Sequence, residues 1–137
     1  MQIQIFTDGG SRGNPGQAAC AFVVAQVGTT IDQGTKALGV MTNNEAEYHG
    51  FLLSLEWLLE QSAKNAGYSQ ATWQLDSKLV VEQLNRRWKI KEPRMRQLAQ
   101  DCWAQLAKLS IPYSIQHIPR EKNALADALL NQTLDLL

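Results

Sequence analysis

The amino-acid sequence predicts an α/β fold in which a five-stranded mixed sheet is flanked by helices. Three observations carry this prediction: apolar runs of strand length, helical apolar periodicity between later runs, and short links within the first third of the chain. The resulting order, βββαβααβα, predicts an antiparallel meander of strands 1–3, with strands 1, 4 and 5 parallel. No repeat, linker or low-complexity segment interrupts residues 1–137, so a single domain is expected.

The first three strands follow from their apolar patterns. Residues 2–8 alternate between two faces, and the cluster GGSRGNPG at 9–16 predicts a turn. The next run, AACAFVVAQV at 18–27, is nearly all apolar and predicts an interior strand. Residues 29–37 predict a third, more polar strand.

Helices and strands alternate in the remainder of the chain. Pro93 suits the first turn of a helix with Met95, Leu98, Cys102 and Leu106 on one face. The predicted elements are a helix at 45–63, a strand at 71–76, a helix from 77, a helix at 93–109, a strand at 111–118 and a short helix from about Asn123.

The charge balance is neutral, with 13 basic and 13 acidic residues. Six of the basic residues fall between Arg86 and Arg96, opposed only by Glu92, so a basic patch and an acidic pocket can coexist. The sequence lacks the ~18-residue apolar run of a membrane span and a secretory layout at its start, so a cytoplasmic location is expected. Cys20 and Cys102 lie in separate apolar runs and are expected to be buried, reduced thiols.

Two acidic residues are predicted at the carboxyl ends of strands. Asp8 ends strand 1 and Asp76 ends strand 4, and ligands gather beyond the carboxyl ends of parallel strands. If these strands are neighbours, the two carboxylates meet at one edge of the sheet. Each residue also has an ordinary alternative role, Asp8 in a turn and Asp76 at a helix N-terminus.

Glu47 lies near the start of the first predicted helix. A capping box with Asn44 as N-cap would explain the residue type. At about 100° per residue, however, Glu47 faces the apolar side of the helix, whereas Glu45 shares a polar stripe with His49 and Glu60. A buried carboxylate beside two others is costly, and a bound dication would relieve both burial and repulsion.

The sequence resembles the type 1 ribonuclease H family in four ordered blocks. They are IFTDGGSRGNPG at 5–16, TNNEAEY at 42–48, LDSKLVVEQL at 75–84 and HIPREKNALADAL at 117–129. The last block carries Asp127, which the helix dipole alone would also favour near a helix start. The resemblance implies the ribonuclease H-like fold and an endonuclease that hydrolyses the RNA strand of RNA/DNA hybrids, leaving 5′-phosphate and 3′-hydroxyl ends.

The resemblance also implies that Asp8, Glu47, Asp76 and Asp127 are catalytic and hold two Mg²⁺ ions, with Mn²⁺ as a substitute. By analogy with the family, Asp8 bridges the ions, Asp127 completes the first site, and Glu47 and Asp76 complete the second. Mg²⁺ prefers a few carboxylates with water and phosphate oxygens. No thiolate or histidine cluster in the sequence competes for another metal.

Substrate contacts are implied by the same resemblance. Asn14, Asn43 and Asn44 match positions near the substrate backbone, where polar groups can distinguish RNA by its 2′-hydroxyls. Thr42 matches a position that contacts a DNA-strand phosphate. Turn and cap chemistry explains the same four residue types without a ligand.

The loop before the last aspartate departs from the family pattern. It is short, IPREKN, and has no histidine, which is similar to the archaeal-like branch of the family. His117 falls at the predicted end of strand 5, where a structural role is expected. Arg120 and Glu121 are the candidates for the missing histidine's role in product release.

The basic segment is a second departure, because many family members carry a longer basic loop there. Arg87, Trp88 and Lys89 remain as candidate hybrid contacts, and a solvated helix end is the alternative. We expect an RNA/DNA hybrid as the partner, no membrane, no obligate protein partner and a monomer. Two other functions stay open, a non-catalytic nucleic-acid-binding domain and another nuclease or recombinase of the superfamily.

Overall fold

The computed structural model describes residues 1–137 and contains the predicted five-stranded mixed sheet, in the order β3-β2-β1-β4-β5. β1 pairs antiparallel with β2, and β2 with β3, whereas β1 and β4 pair in parallel, as do β4 and β5. The strands are β1 (Gln2–Gly13), β2 (Gly16–Gln26), β3 (Thr29–Met41), β4 (Gln70–Leu75) and β5 (Tyr113–His117). The helices are α1 (Asn43–Ala63), α2 (Lys78–Leu84), α3 (Pro93–Leu106) and α4 (Ala124–Asp135), with a 3-10 turn at Arg120–Lys122.

β1 is longer than predicted, because the glycine-rich segment stays paired with β2 as far as Gly13 opposite Gly16. The turn is confined to Asn14 and Pro15. Glycine and asparagine are rare in strands, so the sequence indicated a turn from residue 9 onwards. The strand keeps its glycine for a different reason: a Cβ on Gly9 would lie 2.2 Å from the main-chain oxygen of Ala46 in α1.

The prediction that Asp8 ends strand 1 is therefore wrong, but the pairing of β1 with β4 does end next to Asp8. The parallel ladder between β1 and β4 ends with Thr7 opposite Leu75. Asp8 is the next residue of β1 and Asp76 is the first residue after β4, so both lie just beyond the last parallel pair. The two carboxylates meet at this edge, as the parallel arrangement predicted.

The main core lies between one face of the sheet and helices α1 to α3, around side chains such as Ile5, Phe51, Leu55 and Trp73. β2 is buried from 18 to 25, in agreement with its apolar sequence, and the polar β3 forms an exposed edge. Helix α4 packs on the other face, over a separate small cluster. That cluster consists of Ala19, Ala21, Leu130 and Leu134.

Two further predictions concern the cysteines and the helices. Cys20 and Cys102 are buried and unpaired, as expected. The helix predicted from 77 is short: it ends at Leu84, and Arg86 just beyond it has a positive φ of 62°. No helix here combines the length and apolar character that crossing a membrane requires.

Candidate active site

Three carboxylates from three elements converge beyond the last parallel pair. Asp8 comes from β1, Glu47 from α1 and Asp76 from the residue after β4, and they place one oxygen each within 4.8 Å of one another. Asp8 is 5% exposed and Glu47 is 7% exposed, and Asp76 is half-buried. Oxygen-only clusters of this kind suit hard divalent cations.

Glu47 reaches this cluster because α1 approaches β1 closely. Glycines make the approach possible: a Cβ on Gly50 would lie 2.8 Å from the carbonyl oxygen of Asp8. The N–H of Gly9 donates to Glu47 Oε1 at 3.3 Å and to Asp8 Oδ1 at 2.9 Å, so one donor serves both carboxylates. Glu47 Oε2 is buried and has no hydrogen-bond partner in the protein. A buried, unpartnered carboxylate oxygen is the observation that a cation would explain.

The capping box of α1 uses other residues than predicted. Thr42 is the N-cap and Glu45 is its partner at the third helical position, with the Thr42 hydroxyl accepting from the Glu45 N–H at 3.2 Å. The assignment of Asn44 and Glu47 to this box is therefore wrong, because the helix begins two residues earlier. Glu47 is free of any capping role.

Glu45 does not lie on a fully exposed stripe, which corrects a second prediction about this helix. Its side chain is only 13% exposed and forms an ion pair with Arg94 of α3. His49 is also half-buried, and its surroundings lower its pKa, chiefly through burial. The sequence could not reveal this because α3 covers that side of α1, a contact between segments far apart in the chain.

Asp127 faces the three-carboxylate cluster from the first turn of α4. It lies outside the 4.8 Å group but lines the same cavity of ≈ 400 Å³, together with Asp8, Glu47 and Asp76. Its nearest cation is Arg120, whose Nη2 is 3.9 Å from Asp127 Oδ1. The structure thus brings all four predicted carboxylates to one cavity.

Burial and mutual repulsion raise the pKa values of the clustered carboxylates. Burial raises the pKa of Asp8 to about 7, with repulsion from Asp76 and Asp127 adding to it. Burial, followed by the negative charge of Asp8, raises the pKa of Glu47 well above its usual range. The pKa of Asp76 is also raised, chiefly by burial, although Asn123 and Arg120 oppose that rise. Without a cation, the ionised cluster is therefore electrostatically unfavourable.

Two of the polar residues predicted to contact substrate, Asn14 and Asn43, form a chain of hydrogen bonds with Ser11. Asn14 Oδ1 accepts the Asn43 N–H at 3.0 Å, and Asn43 Oδ1 accepts the Ser11 N–H at 2.9 Å. Thr42 serves as the α1 cap, and Asn44 is exposed. Asn43 and Ser11 also line the cavity. Turn and cap chemistry thus occupies part of this set, as the alternative interpretation required.

The short loop before α4 places its charged residues differently. Arg120 lines the cavity, whereas Glu121 does not. His117 ends β5 as predicted, but its side chain is exposed and makes no hydrogen bond within the protein, which does not support a structural role.

Sequence reasoning missed Asn123, which is buried beside Asp76. The only signal for it was an asparagine four residues before Asp127.

The basic segment is only partly free to meet a ligand. The guanidinium of Arg87 donates to both carboxylate oxygens of Glu82, at 2.7 and 2.8 Å, and Arg86 stacks 3.8 Å from the centre of the Trp103 ring. Trp88 is 45% exposed and Lys89 is exposed without an ion-pair partner. Both line a cavity of ≈ 420 Å³ on this side of the molecule.

Comparisons with known proteins agree with this geometry. A family model described as reverse transcriptase-like matches residues 6–133. The bifunctional protein Rv2228c of Mycobacterium tuberculosis is 39% identical over 98% of this chain, and the chain spans only 36% of that relative's length. The solved RNase H1 of the halophilic archaeon Halobacterium salinarum is 34% identical, with each chain covered in full and a TM-score of 0.88.

A second solved structure is LC11-RNase H1 in complex with an RNA/DNA hybrid. It is 35% identical to this chain, covers 95% of it and 94% of its own length, and has a TM-score of 0.88. Sequence identity of 34–35% over nearly complete chains indicates a shared family in addition to a shared fold. The strand order, the clustered carboxylates and these similarities lead to one conclusion: the chain belongs to the type 1 ribonuclease H family.

Proposed function

We propose that this chain is a metal-dependent endonuclease that hydrolyses the RNA strand of RNA/DNA hybrids and leaves 5′-phosphate and 3′-hydroxyl ends. The observation that carries the proposal is the buried carboxylate cluster, in which Glu47 Oε2 has no partner. The hybrid bound to the LC11 relative supports the choice of substrate. The chain spans only 36% of the length of the relative Rv2228c. The proposed activity is therefore that of the domain described by residues 1–137.

The residues of the cavity fit two divalent cations, Mg²⁺ or its substitute Mn²⁺. Asp8, Glu47 and Asp76 would hold one ion, and Asp8 with Asp127 across the cavity would hold the other. Bound there, such ions would lower the pKa of an attacking water and neutralise charge on the leaving 3′ oxygen. The donor set is entirely oxygen, which favours hard cations over zinc or copper.

The chain's own groups would orient the substrate. The Gly9 N–H fixes the directions of Asp8 and Glu47 by donating to both. Asn43 and Asn14 hold the start of α1 against the end of β1, and this places polar groups where a ribose 2′-hydroxyl could be recognised. The monomeric state and the cytoplasmic location remain predictions.

We expect cleavage of a labelled RNA strand only when it is paired with DNA. Asn43 and Ser11, whose polar groups could meet a ribose 2′-hydroxyl, line the same cavity as the carboxylates, and the LC11 relative binds an RNA/DNA hybrid. The measurement presents matched sequences as RNA/DNA, RNA/RNA, DNA/DNA and single-stranded RNA, each with Mg²⁺ and with EDTA. Equal cleavage of duplex DNA would identify another nuclease of the superfamily. Hybrid binding without any cleavage would identify a non-catalytic binding domain.

Hybrid affinity should depend on salt through the basic segment. Replacing Arg87 and Lys89 together with Ala should flatten the slope of log affinity against log salt by up to about two units. Lys89 should supply the larger share, because Glu82 already neutralises Arg87. The matched control is Lys64→Ala at the far end of α1. An unchanged slope in the double variant would assign the segment to a solvated helix end.

A further inference from the structure

Asn123 occupies the N-cap position of α4, yet its side chain makes no capping hydrogen bond. Asparagine is among the preferred N-cap residues, and a capping bond contributes about 1 kcal/mol. Here the side chain turns inward and the residue is 1% exposed. The asparagine at this position therefore does not stabilise the start of the helix by capping. Its inward contacts are the reason we consider for an asparagine here.

Those contacts connect two strands at the carboxylate cluster. Asn123 Nδ2 donates to the Thr7 carbonyl oxygen at 2.8 Å and to Asp76 Oδ2 at 3.3 Å. The main-chain oxygen of Thr7 can only accept, which fixes the orientation of the amide. Thr7 is the last β1 residue paired with β4, so Asn123 extends the connection one step beyond the ladder.

The main chain of Asn123 reaches the fourth carboxylate. Its carbonyl oxygen accepts the Asp127 N–H at 3.0 Å, in the first turn of α4. One residue thus contacts β1, the carboxylate after β4 and the helical turn that carries Asp127. Asp127 lies outside the 4.8 Å group, so its distance from the other carboxylates depends on where α4 begins.

We infer that Asn123 is a positioning residue that fixes Asp76 directly and Asp127 through the first turn of α4, so that the four carboxylates can share divalent ions. This role rests on the proposed function. Hydrogen-bonded partners of metal ligands typically change metal affinity or activity 10–100-fold when they are replaced. Asn123 is buried and does not line the carboxylate cavity, so its loss should lower kcat more than it raises KM.

Two variants separate this role from a merely structural one. Asn123→Ser keeps a favoured N-cap residue but is too short to donate to both partners. Asn123→Leu keeps the branched shape and the number of heavy side-chain atoms but has no donor. The matched control is Gln132→Ala, an exposed amide on the same helix that does not line the cavity. Mn²⁺ affinity is measured by calorimetry on the protein without nucleic acid, and kcat and KM are measured on one hybrid at saturating Mg²⁺.

Both Asn123 variants should bind Mn²⁺ roughly 10–100-fold more weakly than wild type and lose kcat on the same scale. The control should match wild type in both measurements. Wild-type Mn²⁺ affinity in the Ser variant would overturn the positioning role, because it would reduce Asn123 to a helix-start residue. Failure of both variants to fold would also overturn it. A wild-type protein that binds no Mn²⁺ would overturn the proposed function as well, whereas unchanged variants beside an active wild type overturn only this inference.

Discussion

Asp8→Asn is expected to abolish Mg²⁺-dependent cleavage and to leave the fold intact. Asp8 groups with Glu47 and Asp76 and lines the same cavity as Asp127, so in the proposed function it would serve both ions. Asparagine is nearly isosteric but lacks the charge, so both ions should be lost together. Turnover is measured on one hybrid at saturating Mg²⁺, with circular dichroism to confirm folding. Turnover above about a tenth of wild type, a barrier change below about 1.4 kcal/mol, would contradict the assignment.

The same substitution should stabilise the metal-free protein, and the gain should grow with pH. Burial raises the pKa of Asp8 from 3.8 to about 7, so the folded state favours the protonated carboxyl. The protonated Asp8 carboxyl contributes its full share to the free energy of unfolding below its unfolded pKa, and this contribution is lost as the pH rises through about 7. The asparagine side chain of the variant does not ionise and would avoid that loss. Melting curves in EDTA should therefore show a larger rise in Tm at pH 8 than at pH 4, and an equal rise at both would exclude Asp8 ionisation as the cause.

Glu47→Gln should lower turnover by orders of magnitude, while Glu45→Gln should leave it within a few-fold. Glu47 is buried in the cluster with an unpartnered oxygen, whereas Glu45 contacts Thr42 and Arg94 outside the cavity. The two side chains lie about 200° apart on an ideal helix, so they cannot share one site. Turnover of both variants is compared on the same hybrid at saturating Mg²⁺.

Glu45→Gln is a strict control because Glu45, like Glu47, is largely covered and its replacement also removes a charge. Glutamine can still serve at the third position of the capping box, but the charge opposite Arg94 is lost. We expect a stability loss of roughly 0.2–1 kcal/mol, in the range of partly exposed ion pairs. Activity should nevertheless persist below the melting transition. An inactive Glu45 variant beside an active Glu47 variant would show that the motif is placed incorrectly along the helix.

The order of elements, the sheet topology and the meeting of Asp8, Glu47 and Asp76 were predictable from the sequence. Periodicity depends on which face of an element is buried, and parallel strands bring their carboxyl ends to one edge whatever the side chains are. The resemblance added Asp127, which no local pattern distinguishes from an ordinary acidic residue near a helix start.

Other features required contacts between distant segments. β1 continues through its glycines, and Gly9 leaves room for the close approach of α1. Local strand propensity does not include this contact with a distant segment. Glu45 is covered by α3, and Arg87 is held by Glu82 across the end of α2. Asn123 looked like an ordinary helix start because its partners, Thr7 and Asp76, precede it by 116 and 47 residues.

The separate packing of α4 has a consequence for how the cavity comes apart. In this small cluster Leu130, Leu134 and the partly buried Leu129 of α4 pack against Ala19 and Ala21 of β2, apart from the main core. Segments with few buried apolar contacts open locally at a lower free energy than the whole domain. We therefore expect α4, with Asp127, to open locally at a lower free energy than the part of the domain that holds Asp8, Glu47 and Asp76. A divalent ion shared with Asp127 would bind only the closed form, so it would slow amide hydrogen exchange in α4 by mass action and couple local unfolding to occupancy of the site.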